Sequence, residues 1–270
     1  MNNLVTRTLS GILFVAVITT AILLGQWYFA VVFLIISIFG LLEFYKLVQT
    51  NGLFPQKIIG VILSIAIFLA VYFWLSSIID PKWFLLIIPL FFVVFVLELY
   101  RKKEKPFDNI AYTLLGLFYI CFPLSLLSGL AFIDNTSDYT PTILLIYFSL
   151  IWLYDSAAYI FGVSFGKHRL FERISPKKSW EGLIGGAIST LLAAYIISIY
   201  FTELSIENWL IIAIIIIVAG TFGDLSESMF KRNIGVKDSG NILPGHGGIL
   251  DRFDAVFLSS PLVFTYLQLL

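Results

Sequence analysis

A run of 35 residues, from Thr8 to Leu42, contains no charged side chain. A helix needs about 20 mostly apolar residues to cross a hydrocarbon core of about 30 Å. The run is therefore long enough for two membrane-spanning helices, with a tight break at residues 25–27. Hydrophobic residues make up 59% of the chain and charged residues only 13%, too few to cover a soluble surface. A soluble globular domain and a disordered chain are both excluded.

Seven further apolar stretches follow this run. They cover roughly residues 58–79, 83–100, 108–132, 141–163, 182–202, 208–226 and 251–270. The sequence therefore predicts an all-α polytopic membrane protein with about nine transmembrane helices. We divide it into about five N-terminal helices in residues 1–140 and a C-terminal region, 141–270, whose loops 164–181 and 224–254 carry polar motifs.

Lysine and arginine are distributed unevenly between the two sides of this predicted bundle. A cytoplasmic N-terminus places 16 of the 17 basic residues inside and leaves only Lys82 outside. Basic residues favour the cytoplasmic side. We therefore expect a protein of the cell inner (cytoplasmic) membrane with its N-terminus inside, its C-terminus outside and both polar loops facing the cytoplasm.

Half of the charge is concentrated in two short stretches, residues 155–181 and 224–254. These 58 residues hold 17 of the 34 charged side chains. The whole chain has a net charge of zero, which gives no reason to expect a nucleic-acid partner. Its single cysteine, Cys121, excludes a disulfide framework.

The second stretch carries acidic residues at helical spacing. If the helix of residues 208–226 continues past Gly223, several polar residues share one of its faces. These are Asp224, Glu227, Ser228 and Lys231. Asp251 and Asp254 are three residues apart at the start of the last predicted helix, so they also lie on one helical face. Carboxylates on two helix ends that face each other across a loop suit a hard cation such as Mg²⁺.

Positive charges and glycines surround these acids. The nearby cations are Lys231, Arg232, Lys237 and Arg252, and such a set beside metal-binding carboxylates is typical of a polyphosphate site. Gly247 and Gly248 directly precede the last helix, whose first N–H groups could bind a phosphate oxygen. Alternatively, the glycines and Pro244 only turn the chain. His246 is either a phosphate donor or a residue that structures the loop.

The first stretch places a carboxylate inside a predicted membrane helix. A lone Asp155 there costs about 2.5–3.5 kcal/mol on the insertion scale, so it needs a cation or a hydrogen-bond partner. A purely structural pair is the alternative. Lys177 and Lys178, next to Ser179, either anchor the chain at the membrane surface or hold a phosphate or lipid headgroup. The GxxxG spacings at 162–166 and 182–186 indicate close helix packing.

Several other chemistries lack their usual residues. The two histidines, His168 and His246, are far apart in sequence and have no cysteine beside them, which argues against a zinc site. No Ser-His-Asp order, GxSxG elbow or GxxxxGK[ST] loop occurs in the chain. The sequence therefore gives no support to covalent nucleophilic catalysis.

The segment from Ser228 to Asp254 resembles a known signature. It reads Ser-x₂-Lys-Arg-x₄-Lys-Asp-x-Gly-x₂-Leu-Pro-x-His-Gly-Gly-x₂-Asp-Arg-Phe-Asp, and this pattern is similar to that of the phosphatidate cytidylyltransferase (CDP-diacylglycerol synthase) family. Residues 175–182 look like the family's upstream motif. The resemblance implies the reaction CTP + phosphatidate → CDP-diacylglycerol + pyrophosphate in a multi-pass, dimeric membrane enzyme. It also implies dependence on Mg²⁺, with a monovalent cation such as K⁺ as a further cofactor.

The resemblance also assigns roles to residues. The expected metal ligands are Asp224 and Asp251 first, then Asp254, Glu227 and Asp155. The expected catalytic residues are Asp224, Asp251, Lys231, Arg232 and Asp254. The expected substrate-binding residues are Lys237, His246, Gly247, Gly248, Arg252, Lys177, Lys178 and Ser179.

The residue chemistry is compatible with that reaction. A phosphate monoester has a second pKa of about 6, so phosphatidate is largely dianionic at neutral pH and can attack CTP without a general base. Two alternatives stay open. A CTP-dependent lipid kinase would need a general base and would release CDP. A transporter would carry cations on its intramembrane acids, but it predicts broken helices and inverted repeats, which the sequence does not show clearly.

Overall fold

The computed structural model describes residues 3–133, 138–236, 239–240 and 247–270, with only the backbone of residues 3–7. The described residues form ten α-helices. They are α1 (Asn3–Leu23), α2 (Gln26–Gln49), α3 (Lys57–Leu75), α4 (Ile87–Arg101), α5 (Pro106–Gly116), α6 (Phe122–Leu126), α7 (Pro141–Phe165), α8 (Trp180–Tyr200), α9 (Ile206–Asn233) and α10 (Leu250–Gln268).

Shorter helical pieces join some of these helices into longer segments. A 3-10 helix, Pro81–Leu86, leads directly into α4. One π-helical turn, Leu117–Cys121, connects α5 to α6, and a 3-10 turn, Leu127–Leu130, follows α6. The helical segments are thus continuous over 81–101 and 106–130.

Seven helical segments of the described chain are long and apolar enough to cross a membrane. They are Gln26–Gln49, Lys57–Leu75, Pro81–Arg101, Pro106–Leu130, Pro141–Phe165, Trp180–Tyr200 and Ile206–Asn233. The predicted all-α, multi-pass fold is therefore confirmed. The remaining two predicted spans, α1 and α10, are helical but fall outside this count, α10 because three charged residues lie near its start. The number nine and the orientation of the termini stay predictions.

The predicted break in the long charge-free run is confirmed. α1 ends at Leu23 and α2 begins at Gln26. Between them Gly25 has a φ of 116°, a conformation that residues with a Cβ rarely adopt. A single glycine therefore ends one apolar helix and allows the next to begin.

The loop over residues 164–181 contains structure that the sequence analysis did not predict. Two short antiparallel strands, β1 (Arg169–Phe171) and β2 (Ser175–Ser179), form a hairpin in which Arg169 is paired with Ser179. The strands are too short and too polar to show an alternating pattern, which explains why the sequence indicated only a loop. β2 leads directly into α8, where the Ser179 hydroxyl accepts a hydrogen bond from the Gly182 N–H.

Helices from both predicted regions share one core. The ring of Phe33 on α2 lies 5.7 Å from that of Phe148 on α7, and Phe44 on α2 stacks on Phe230 of α9 at 4.8 Å. On α10, Ser260 donates to the Pro123 carbonyl, 2.9 Å away. Packing against the N-terminal helices therefore fixes the position of the C-terminal helices.

The glycines of the two GxxxG spacings bring α7 and α8 into close contact. A Cβ placed on Gly182 would lie 2.7 Å from the Ala158 carbonyl oxygen and 3.1 Å from the Gly162 Cα. Both distances are shorter than normal carbon contacts. The close packing that these spacings predicted is confirmed, and it holds the hairpin and the end of α7 together.

We expect Gly182→Ala to push α8 away from α7 and to destabilise the protein by about 1–3 kcal/mol, as overpacking of a core usually does. Gly220→Ala is the matched control, because a Cβ there would meet the Ala255 Cβ at an ordinary 3.5 Å. Thermal unfolding can be followed with a thiol-reactive dye that reports exposure of the buried Cys121. Equal unfolding temperatures for the two variants would contradict this account of α7–α8 packing.

Candidate active site

The two polar stretches meet in one cavity of about 930 Å³, which we call the charged cavity. Residues of α1, α7, α8, α9 and α10 and of the hairpin form its wall. The charged residues of this wall are Asp155, Arg169, Lys177, Lys178, Asp224, Asp251, Arg252 and Asp254. Seven of these charged residues, all except Arg169, are predicted site residues, and the predicted Ser179 lies in the same wall. The structure thus brings eight predicted site residues together from segments up to about a hundred residues apart.

Another part of the same wall is apolar. It is formed by Phe14 and Val15 of α1 and by Trp152, Tyr159 and Val163 of α7. Tyr159 and Val163 are also largely exposed on the outside of the helix bundle. The wall of the charged cavity therefore combines carboxylates and cations with apolar side chains suited to hydrocarbon.

An ion pair joins the two polar stretches. The ammonium of Lys178, on β2, contacts the carboxylate of Asp224, on α9. The Ser228 hydroxyl donates to Asp224 Oδ1 over 3.3 Å from one helical turn further on. Deeper in the bundle, the Tyr154 and Thr221 hydroxyls lie 2.5 Å apart and join α7 to α9. These contacts position Asp224 beside the hairpin.

Lys231 joins the last turns of α9 to the start of α10. Its Nζ lies 2.6 Å from Glu227 Oε2 and 2.6 Å from Asp251 Oδ1. The Lys231 side chain is only 13% exposed and that of Glu227 only 2%. The predicted helical face is confirmed, because α9 continues to Asn233 and its polar residues interact at i, i+4 spacing.

Asp251 has a full set of hydrogen-bond partners. Besides Lys231, its carboxylate accepts from the Ser239 hydroxyl at 2.8 Å, the Ser239 N–H at 3.1 Å and the Gly248 N–H at 2.8 Å. The Gly248 N–H, which we expected to bind a phosphate oxygen, therefore binds a carboxylate of the protein itself in this structure. Its role toward a phosphate stays a prediction.

The other two acids of the cavity are held differently. Asp155 is exposed to the cavity, where it interacts electrostatically with the like-charged Asp224 and with the cations Lys178 and Arg252. Access to the cavity and the two cations reduce the free-energy cost of placing this carboxylate within a membrane helix. Asp254 accepts a hydrogen bond from the Ala255 N–H at 2.7 Å. The backbone of Asp254 packs directly on Gly223, where a Cβ would overlap its carbonyl oxygen.

Some predicted site residues lie elsewhere. Arg232 is exposed in the last turn of α9 and is not among the described residues that line the cavity. Gly247, with a φ of 82°, packs on the Asp251 carboxylate. Lys237 and His246 lie outside the described residues. Their predicted roles in substrate binding stay predictions.

Comparison with known proteins identifies the family. Residues 5–270 match the cytidylyltransferase family. The chain belongs to the cytidylyltransferase family. As a member of this family it is a nucleotidyltransferase, and the resemblance based on the Ser228–Asp254 motif is confirmed.

Several relatives of this cytidylyltransferase carry the name phosphatidate cytidylyltransferase. The protein from Staphylococcus haemolyticus is 34% identical over 264 residues, which cover 95% of this chain and 96% of the relative. The one from Rickettsia bellii is 34% identical over 228 residues, 80% of this chain and 91% of the relative. The one from Staphylococcus saprophyticus is 40% identical over 179 residues, which span 66% of each chain.

Sequence reasoning missed one residue that reaches the motif loop of the cytidylyltransferase. Glu43, on α2, is 5% exposed, and its carboxylate accepts hydrogen bonds from the Ser239 hydroxyl and, at 2.8 Å, from the Ile249 N–H. A signal was present in the sequence. Glu43 ends the 35-residue charge-free run, and an ionisable residue within a membrane helix is a functional candidate by default.

The donor set of the charged cavity fits Mg²⁺. Its acidic residues offer hard oxygen ligands, and Oε1 of the nearby Glu227 is buried with no hydrogen-bond partner in the described chain. No three acidic, histidine or cysteine side chains among the described residues converge as a metal site. Mg²⁺ does not require three, because it usually takes one or two carboxylates together with water and substrate phosphates.

We expect Lys231→Met to destabilise the protein strongly, because it leaves two poorly hydrated carboxylates without their shared cation. Removing one partner of a buried ion pair typically costs about 3–5 kcal/mol. Lys178→Met removes a cation from a more exposed pair and should cost much less. The measurement is thermal unfolding reported by Cys121. Adding Glu227→Gln to Lys231→Met should restore part of the loss, and a double variant less stable than Lys231→Met would contradict the assignment.

Proposed function

We propose that this cytidylyltransferase is a phosphatidate cytidylyltransferase of the inner membrane. It would convert CTP and phosphatidate to CDP-diacylglycerol and pyrophosphate, with the charged cavity facing the cytoplasm. One observation carries the proposal: a single cavity is lined both by charged residues that suit phosphates and by apolar residues of α1 and α7. A substrate with a phosphate headgroup and acyl chains matches both surfaces. The names of the relatives support the same assignment.

The proposed reaction is a direct displacement at the α-phosphorus of CTP. A phosphate oxygen of phosphatidate forms the new P–O bond, and the bond from the α-phosphorus to the oxygen of the leaving pyrophosphate breaks. Because the attacking phosphate is already dianionic near neutral pH, no side chain has to remove a proton. This requirement agrees with a cavity that offers acids, lysines and arginines but no Ser-His pair among its described lining residues.

Cations of the cavity would position the two substrates. Lys177 and Lys178, on the hairpin, would bind the phosphatidate headgroup. Arg252, on α10, would bind the triphosphate together with Lys231 and Arg232 of α9 and with Lys237. Fixed positive charges that face developing negative charge on phosphate oxygens are the main source of catalysis in phosphoryl transfer.

Asp224 and Asp251 are the proposed principal Mg²⁺ ligands, with Asp254, Glu227 and Asp155 as further ligands or orienting groups. When bound, Mg²⁺ would neutralise charge on the phosphate oxygens of CTP. A monovalent cation such as K⁺ is a further proposed cofactor. In the ligand-free chain Lys178 and Lys231 are the counter-ions of Asp224 and Asp251, and we expect them to donate to phosphate oxygens in the substrate complex.

The product into which each labelled phosphate of CTP is transferred distinguishes the proposed function from its alternatives. The full-length protein in mixed micelles with phosphatidate is supplied with CTP labelled at either the α- or the γ-phosphate. We expect the α-label in the lipid and the γ-label in free pyrophosphate. A γ-label in the lipid would indicate a lipid kinase. Intact CTP, together with solute accumulation in vesicles, would indicate a transporter. The unbroken helices α7 and α9 argue against this hypothesis, which predicts broken helices.

We expect Asp224→Asn to lower cytidylyl transfer at least about a hundredfold, the usual loss when a group that stabilises the transition state is removed. The fold should persist, because Lys178 is partly exposed and can be hydrated once its partner is neutral. Asp80→Asn is the control, since Asp80 is exposed and pairs with Lys82 before α4. Pyrophosphate release and thermal unfolding are measured together. Full activity of folded Asp224→Asn would refute the metal assignment.

The proposed homodimer is a separate question. Light scattering of the detergent-solubilised protein, with the detergent contribution subtracted, would give twice the chain mass of 30.5 kDa for a dimer. A mass of one chain would contradict it.

A further inference from the structure

Glu43 belongs to the N-terminal helices, yet its carboxylate is buried within the catalytic motif. It lies near the end of α2, three residues before the exposed Lys46. Burying a carboxylate is costly unless hydrogen bonds replace its hydration. The groups that replace it come from the motif loop and from the start of α10. A carboxylate on one segment is therefore stabilised by backbone and side-chain donors on another.

The first of these contacts fixes the beginning of α10. The Ile249 N–H donates to Glu43 Oε2 at 2.8 Å, and Ile249 directly precedes the first residue of the helix. Free N–H groups at a helix N-terminus, and the positive end of its dipole, favour an anion at this position. Glu43 thus caps the helix that carries Asp251 and Asp254.

The second contact connects Glu43 to Asp251. The Ser239 hydroxyl contacts both the Glu43 carboxylate and Asp251 Oδ2, and the Ser239 N–H also donates to Asp251. Ser239 is itself buried. One serine therefore lies between an acid of α2 and the acid proposed to bind metal, and a shift of Glu43 would move both Ser239 and the first turn of α10.

Two motif glycines make room for this arrangement. A Cβ on Gly248 would overlap the Glu43 carboxylate, and one on Gly240 would lie 3.0 Å from Glu43 Cδ. From the sequence, Gly248 either precedes a phosphate-binding helix end or only turns the chain. At these two positions the group that requires the space is a side chain of the same protein.

We propose that Glu43 is a positioning residue for cytidylyl transfer. Its carboxylate holds Ser239 and the N-terminus of α10, and so orients Asp251 toward the charged cavity. It does not contact the reacting atoms. The proposal rests on the proposed function, and it assigns to the N-terminal helices a part in the active site.

The test compares Glu43→Gln with Glu98→Gln. Glu98, on α4, is an equally buried carboxylate that accepts from Gln56 Nε2 at 2.6 Å, Asn109 Nδ2 at 2.8 Å and Arg101 at 2.7 Å, but it has no part in the charged cavity. Both substitutions remove one buried charge at nearly constant volume. Glu98→Gln therefore controls for a general loss of bundle stability.

We expect Glu43→Gln to lower kcat about tenfold or more and to raise the Mg²⁺ concentration for half-maximal activity, as changes behind metal ligands usually do. The KM for phosphatidate should stay unchanged. Glu98→Gln should keep the wild-type kcat and Mg²⁺ requirement per folded molecule. In a double-mutant cycle, Glu43→Gln and Ser239→Ala should be strongly non-additive in kcat, because both interrupt the same connection.

A second measurement does not depend on turnover. Mg²⁺ and CTP together should raise the unfolding temperature, and Glu43→Gln should need more Mg²⁺ than wild type for half of that shift. If wild type shows the shift but releases no pyrophosphate from CTP when phosphatidate is present, the proposed function fails. The shift then still decides the positioning role. An unchanged Mg²⁺ requirement in Glu43→Gln, or an equal change in Glu98→Gln, would overturn the proposal.

Discussion

The end of the helix bundle that carries the candidate site depends on two ion pairs made by one residue. The ammonium of Lys231 contacts two carboxylates at once. Glu227 lies on the same helix and Asp251 on the next, so one cation contacts both acids and joins α9 to α10. The close approach of the two helices at Gly223 lets these side chains meet. Without such pairing, carboxylates at a largely apolar helix interface would lose hydration without compensation.

Properties that are local in sequence could be predicted, and properties that depend on tertiary packing could not. Apolar run length predicted the seven described segments that are long enough to cross a membrane, and i, i+4 spacing predicted the polar face of α9, because a helix fixes these relations within a few residues. The ion pair of Lys178 with Asp224 and the hydrogen bonds of Glu43 join segments that are distant along the chain. Their formation depends on how α2, the hairpin and α9 pack, which no local pattern encodes.

The contacts of Glu43 connect the two halves of the chain. The C-terminal region carries the family motif, but its last helix is capped by a residue of α2, and Ser260 of α10 donates to the Pro123 carbonyl. The aromatic contacts of Phe33 and Phe44 reinforce the same arrangement. The N-terminal helices therefore form part of the framework that sets the geometry of the active site, although the motif gives no sign of their participation.

The net charge of zero acquires a mechanistic meaning in this arrangement. The proposed function requires both acids for a metal and cations for phosphates, and in the absence of ligands each set would repel itself. Pairing Lys178 with Asp224, and Lys231 with Asp251, removes this repulsion in the free protein. A metal–nucleotide complex brings both signs of charge at once, so it can replace both partners of each pair without leaving either one uncompensated. A cation or a triphosphate alone would leave one partner unpaired, and this difference favours binding of the two together.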